Sequence, residues 1–105
     1  MANKRRIRVR ISLQRLEALK EICDEMLDEF APVNEHQYLL KEYLQELLHM
    51  LHDMLKRNQQ NYTLHHSAAE ATAFCQLWNM LDIRRDKYAE VIVGTLVKKM
   101  GGIAA

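Results

Sequence analysis

The sequence predicts a mainly helical protein with one short strand at its N-terminus and about four helices. Three observations carry this. Arg6-Ile7-Arg8-Val9-Arg10-Ile11 alternates basic and branched apolar residues with a period of two, the mark of a strand with one buried side. From Ser12 onward, apolar residues recur at steps of three and four. Only three glycines and one proline occur in 105 residues that are 49% hydrophobic, which leaves little material for a meander of strands.

The change of period at Ser12 fixes the first boundary. Read as one helix turning roughly 100° per residue, positions 4 to 30 would put Ile7 and Ile11 opposite the face shared by Val9, Leu16, Leu19 and Cys23. Read as a strand, Ile7, Val9 and Ile11 fall on one side and Arg6, Arg8 and Arg10 on the other. Serine is a favoured N-cap, so a first helix is expected from about Leu13 to Phe30, stopped by Pro32. Leu16, Leu19, Cys23, Met26 and Phe30 form its apolar face, and Glu21, Asp24, Glu25, Asp28 and Glu29 its solvated one.

Asn34 with Gln37 predicts a capped second helix ending near Arg57. Its stripe of Leu40, Tyr43, Leu44, Leu47, Leu48, Leu51, Met54 and Leu55 is wide enough to need more than one neighbour. The polar run Arg57 to Thr63 is expected to be a linker dividing an N-terminal half, 1–57, from a C-terminal helical hairpin, 58–105, the two forming one compact unit. His65-His66 is expected in a turn. Ser67 with Glu70 caps a third helix reaching about Leu81, with Ala71, Phe74, Cys75, Trp78 and Leu81 on its apolar face. A fourth helix is expected from about Asp86 to Met100, ended by Gly101, although Val91, Ile92, Val93, Thr95 and Val97 are strand-favouring types. The final GGIAA is expected to be mobile.

Charge is unevenly placed. Residues 1 to 20 carry +6 and the remaining residues −5, for a net +1, so a polyanion would be drawn to the N-terminus and not to the body. No stretch is apolar enough to span a membrane and no apolar run follows the basic start, which predicts a cytoplasmic chain. Cys23 and Cys75 lack metal-ligand spacing and read as small buried thiols. Glu46 and His49 have the Glu-x-x-His spacing of di-iron bundles, but they lie off the inward face set by Leu44, Leu47, Leu51 and Leu55 and have no second copy. No phosphate loop, nucleophile elbow or zinc signature occurs, so the expectation is a binding protein with no cofactor and no catalytic residues.

The run Arg6-Ile7-Arg8-Val9-Arg10-Ile11-Ser12, the helix bearing Leu16, Leu19, Ile22, Cys23 and Met26, and the second helix capped at Asn34 together resemble the ribbon-helix-helix (Arc- and MetJ-like) DNA-binding family over residues of about 5 to 56. That resemblance implies an intertwined homodimer whose paired strands enter the major groove of double-stranded DNA. By position, Arg6, Arg8 and Arg10 would face base edges, Ile7, Val9 and Ile11 would form the dimer core, and the backbone around Asn34 would hold a phosphate. The function it implies is a transcription regulator or accessory factor, with the C-terminal helices available to a protein partner. The rival expectation is a four-helix interaction module with a basic N-terminal arm and no affinity for nucleic acid.

Overall fold

A computed structural model describes residues 6–80 and 87–104; of residues 6, 87–89 and 100–104 it describes the backbone alone. Two strands and four helices follow in the order β1 (Arg6–Ser12), α1 (Leu13–Glu29), α2 (Glu35–Leu55), β2 (Asn61–Ser67), α3 (Ala68–Met80) and α4 (Lys87–Ala104). The fold is mainly helical, with a short N-terminal strand, as the periods require.

The starts of α1, α2 and α3 each have a chemical cause. Ser12 Oγ accepts a hydrogen bond from the Arg15 amide at 3.3 Å, so the strand turns into α1 without an intervening loop. Asn34 Oδ1 accepts from the Gln37 amide at 2.9 Å, while Gln37 Oε1 accepts from the Val33 amide at 3.0 Å. The return bond of this cap thus reaches one residue earlier than in a standard capping box. At α3 the box is complete: the Glu70 amide donates to Ser67 Oγ at 3.1 Å and the Ser67 amide to Glu70 Oε1 at 2.8 Å. α2 closes through the Lys56 amide, and Asn58 then takes a left-handed conformation, φ 55°, which asparagine tolerates better than most residues.

Where the sequence predicts a linker and a turn, the chain forms β2. It pairs antiparallel with β1 over the full seven residues, Arg6 opposite Ser67 and Ser12 opposite Asn61. The amide of Leu13 adds a bond to the Gln60 carbonyl at 2.9 Å. Asn61-Tyr62-Thr63-Leu64-His65-His66 alternates in burial like β1, with Tyr62, Leu64 and His66 inside. In this chain the strand beside β1 is therefore its own β2, where the family resemblance placed a second copy of β1.

The ribbon's apolar face closes one core with the helices. Ile7, Val9 and Ile11 are 2%, 3% and 5% exposed, so one chain suffices to bury what the resemblance assigned to a dimer interface. At ~1.5–3 kcal/mol per fully buried branched side chain, this burial adds to the pairing with β2 in holding the strand down. α1 contributes Leu16, Leu19, Ile22, Cys23 and Met26; α2 contributes Leu40, Leu44, Leu47, Leu48, Leu51 and Met54. α3 packs mainly on α4, and Phe74, Leu77 and Trp78 of the one and Ile92, Val93 and Leu96 of the other are buried in the common core. Cys75, expected on the α3 apolar face, is half-buried, and Leu77 takes the inward position. α4 is helical throughout its described span and runs through Gly101 and Gly102, so Gly101 is not its cap and the GGIAA segment is helical to Ala104. Leu81, expected on the α3 apolar face, and Asp86, the expected start of the fourth helix, lie outside the described residues.

Candidate nucleic-acid interface

Period-two alternation on both strands gives the ribbon a second, polar face. Arg8 and Arg10 are exposed on β1, and Asn61, Thr63 and His65 are exposed on β2. The register sets Arg8 opposite His65 and Arg10 opposite Thr63. Arg6 pairs in register with Ser67, and its side chain lies outside the described residues.

At the end of the ribbon nearest α1, the chain leaving α2 adds to this face. Arg10, Asn61, Thr63 and His65 share a shallow depression of about 330 Å³ with Arg57 and Gln59. None of the lining residues is acidic. Gln59 is anchored there because its amide donates to the Tyr62 hydroxyl at 2.8 Å, which ties the α2–β2 connection to the ribbon. The depression therefore combines two guanidinium groups with amide, hydroxyl and imidazole groups, a set that matches phosphate oxygens and base edges.

The structure separates Asn34 from this face. Asn34 begins α2, whereas Arg57 follows its other end; about 22 helical steps of about 1.5 Å put roughly 33 Å of helix between them. Asn34 does cap its helix, and the Glu35 carboxylate follows it in the first turn. The ribbon's β2 contributors, Asn61, Thr63 and His65, escape a sequence reading that treats 57–63 as linker. The signal that identifies them is the alternation of Tyr62, Leu64 and His66 with polar neighbours.

Comparison with known protein families, curated proteins and solved structures finds no match. The ribbon-helix-helix resemblance accordingly rests on the residues of β1, α1 and the start of α2 alone.

The remaining chemistry-bearing groups are dispersed. Glu46 and His49 are both exposed on α2, and among the described residues no group of three or more His, Cys, Asp or Glu side chains could hold a metal ion. His49 Nε2 lies 3.6 Å from Asp53 Oδ2 on the surface. His66 is buried rather than in a turn: its Nε2 and the Tyr43 hydroxyl share a hydrogen bond of 2.8 Å, and its ring meets Tyr43 and Phe74 edge-on. Both cysteines are free; burial pushes the Cys23 thiol up to about 12, with the Asp24 charge adding to the effect, and burial also raises the Cys75 thiol. Among the described residues no helix is long and apolar enough to cross a membrane.

Proposed function

We propose that this protein binds duplex DNA through the polar face of its two-stranded ribbon, as a regulator or accessory factor. The observation that supports the reading is the depression lined by Arg10, Arg57, Gln59, Asn61, Thr63 and His65 with no carboxylate among them, beside which Arg8 is exposed on the same face of β1 and opposite His65. Such a cluster attracts phosphate by charge, and the uneven placement of charge, with the basic excess in residues 1 to 20, directs that attraction to the N-terminal strand.

A two-stranded ribbon fits the major groove. Arg8 and Arg10 are two residues apart on one strand, about 6.8 Å, which corresponds to two base-pair steps of about 3.4 Å each. Each guanidinium can donate two hydrogen bonds to O6 and N7 of a guanine, Asn61 can pair with an adenine edge, and Thr63 can contact a thymine methyl. Arg57, at the ribbon's end, is placed to bind phosphate. The ribbon is complete within one chain, so binding needs no second copy to form the reading surface.

The test is the Arg8→Ala/Arg10→Ala double variant, titrated by fluorescence anisotropy against mixed-sequence duplexes. Both side chains are exposed, so stability should change by no more than ~0.5 kcal/mol per site. Affinity should fall about tenfold or more, and the slope of log K against log salt should flatten by about one for each phosphate that the variant no longer neutralises. A double variant that binds duplex as tightly as the native protein would refute the proposal.

A further inference from the structure

Among the described residues the three most exposed large hydrophobics lie just before and within the start of α2, with Met80 and Val91 exposed elsewhere. Val33, Tyr38 and Leu39 are 79%, 62% and 65% exposed, on a chain whose other leucines are mostly buried. Leu39 stands on the lip of a groove between α2 and α3. The groove exists because α3 presents small residues there: Ala69 and Ala73, with Thr72 beside them, cannot fill the space that larger side chains would.

Three adjoining depressions make up the groove. The first, about 450 Å³, shares Leu39, Ala69 and Ala73 with the second, of about 310 Å³. The second shares Tyr43, Glu46 and Glu70 with a third of about 190 Å³ that reaches His66. The channel runs from His36 and Gln76 at one end to the Tyr43–His66 pair at the other. Its rim carries three carboxylates, Glu42, Glu46 and Glu70, and no lysine or arginine lines any of the three depressions.

The geometry points to this groove as the docking site for a basic amphipathic helix of a partner protein. An apolar floor with an acidic rim is complementary to leucine-like knobs at i, i+3, i+4 and i+7 flanked by lysine or arginine. A second copy of the same face would bring its own Glu42, Glu46 and Glu70 against these, and like charges across an interface oppose association. Nucleic acid is excluded by the same charges. The groove shares no residue with the ribbon's polar face, so its role stands independently of DNA binding.

The probe is a fluorescein-labelled peptide of about 18 residues, long enough to form a helix on binding, built from leucine and lysine with leucines at helical spacing. Saturable binding to the native protein is expected, and no binding of the same peptide with glutamate in place of lysine. Leu39→Asp, at an exposed position that cannot unfold the core, should weaken the lysine peptide about tenfold, the effect of removing one leucine side chain from an apolar interface. Ala69→Leu, also at an exposed position, should weaken it by filling the groove. Glu21→Lys/Glu25→Lys on α1 makes the same change of net charge as Glu42→Lys/Glu46→Lys; only the second pair should abolish binding. Equal weakening by both pairs, unchanged affinity in Leu39→Asp, equal binding of the glutamate peptide, or a native homodimer that Leu39→Asp dissociates would each overturn the proposal.

Discussion

His66 shows how much one side chain decides. Its ring is 2% exposed, wedged between Tyr43 and Phe74, and its Nε2 shares a 2.8 Å hydrogen bond with the Tyr43 hydroxyl, tying β2 to α2. Tyr43→Phe keeps the ring and removes the hydroxyl, so it should cost ~1–3 kcal/mol, the penalty for taking away one partner of a buried hydrogen bond; urea denaturation measures it. The same region makes the fold sensitive to alkali. Burial raises both the Cys23 thiol, to about 12, and the Tyr43 hydroxyl above their ordinary values near 9 and 10. In the unfolded chain these groups release their protons at lower pH than in the fold. Their contribution is therefore complete below pH 9 and disappears as pH rises toward 12 and beyond. Stability measured by denaturant should fall across that window, and Cys23→Ser should remove the part of the slope that begins near pH 9. The apolar faces of α1 and α2 already mark Cys23 and Tyr43 as inward in the sequence, but the Tyr43–His66 bond is not readable there, because His65-His66 looks like a polar pair.

At the scale of the elements, the sequence is most explicit about helices. Ser12, Asn34 and Ser67 each place a cap where a helix starts, because a cap is a local bond between a side chain and an amide three residues on. The apolar stripes of α1 and α2 are equally local. β2 is different, since a seven-residue strand has meaning only beside its partner, and its partner lies 49 residues earlier at the closest point of the register, Ser12 against Asn61. Its composition, with Asn61, Thr63, two histidines and Ser67, looks like a loop until the alternation of Tyr62, Leu64 and His66 is counted. α4 shows the opposite tension: β-branched residues and a glycine lie in a helix because Ile92, Val93 and Leu96 fit the core face. Gly94 is exposed, and a Cβ there meets nothing within 4 Å. Gly94→Ala should therefore stabilise the protein by ~0.5–1 kcal/mol, seen as a raised thermal midpoint.

For the whole molecule, the ribbon is the seam. β1 is held by a strand that enters only after two helices, and its three branched residues are buried by elements from both ends of the chain. A fragment of residues 1–57 should thus leave β1 unpaired and its amides rapidly exchanging, whereas the full chain should protect the amides of β1 and β2 together; hydrogen exchange distinguishes the two. The same seam presents Arg8, Arg10 and Arg57 to solvent on one face, which is how a chain of almost balanced charge acquires a basic surface. The arginine alternation is legible from the first residues, but the face it belongs to is not, because half of that face is built by β2. The most direct measurement of the central claim is the affinity of the native protein for a mixed-sequence DNA duplex at two salt concentrations. Binding that weakens steeply with salt, and that Arg8→Ala/Arg10→Ala makes both weaker and less salt-dependent, is the predicted result. Failure to bind duplex at the lower salt concentration would contradict it.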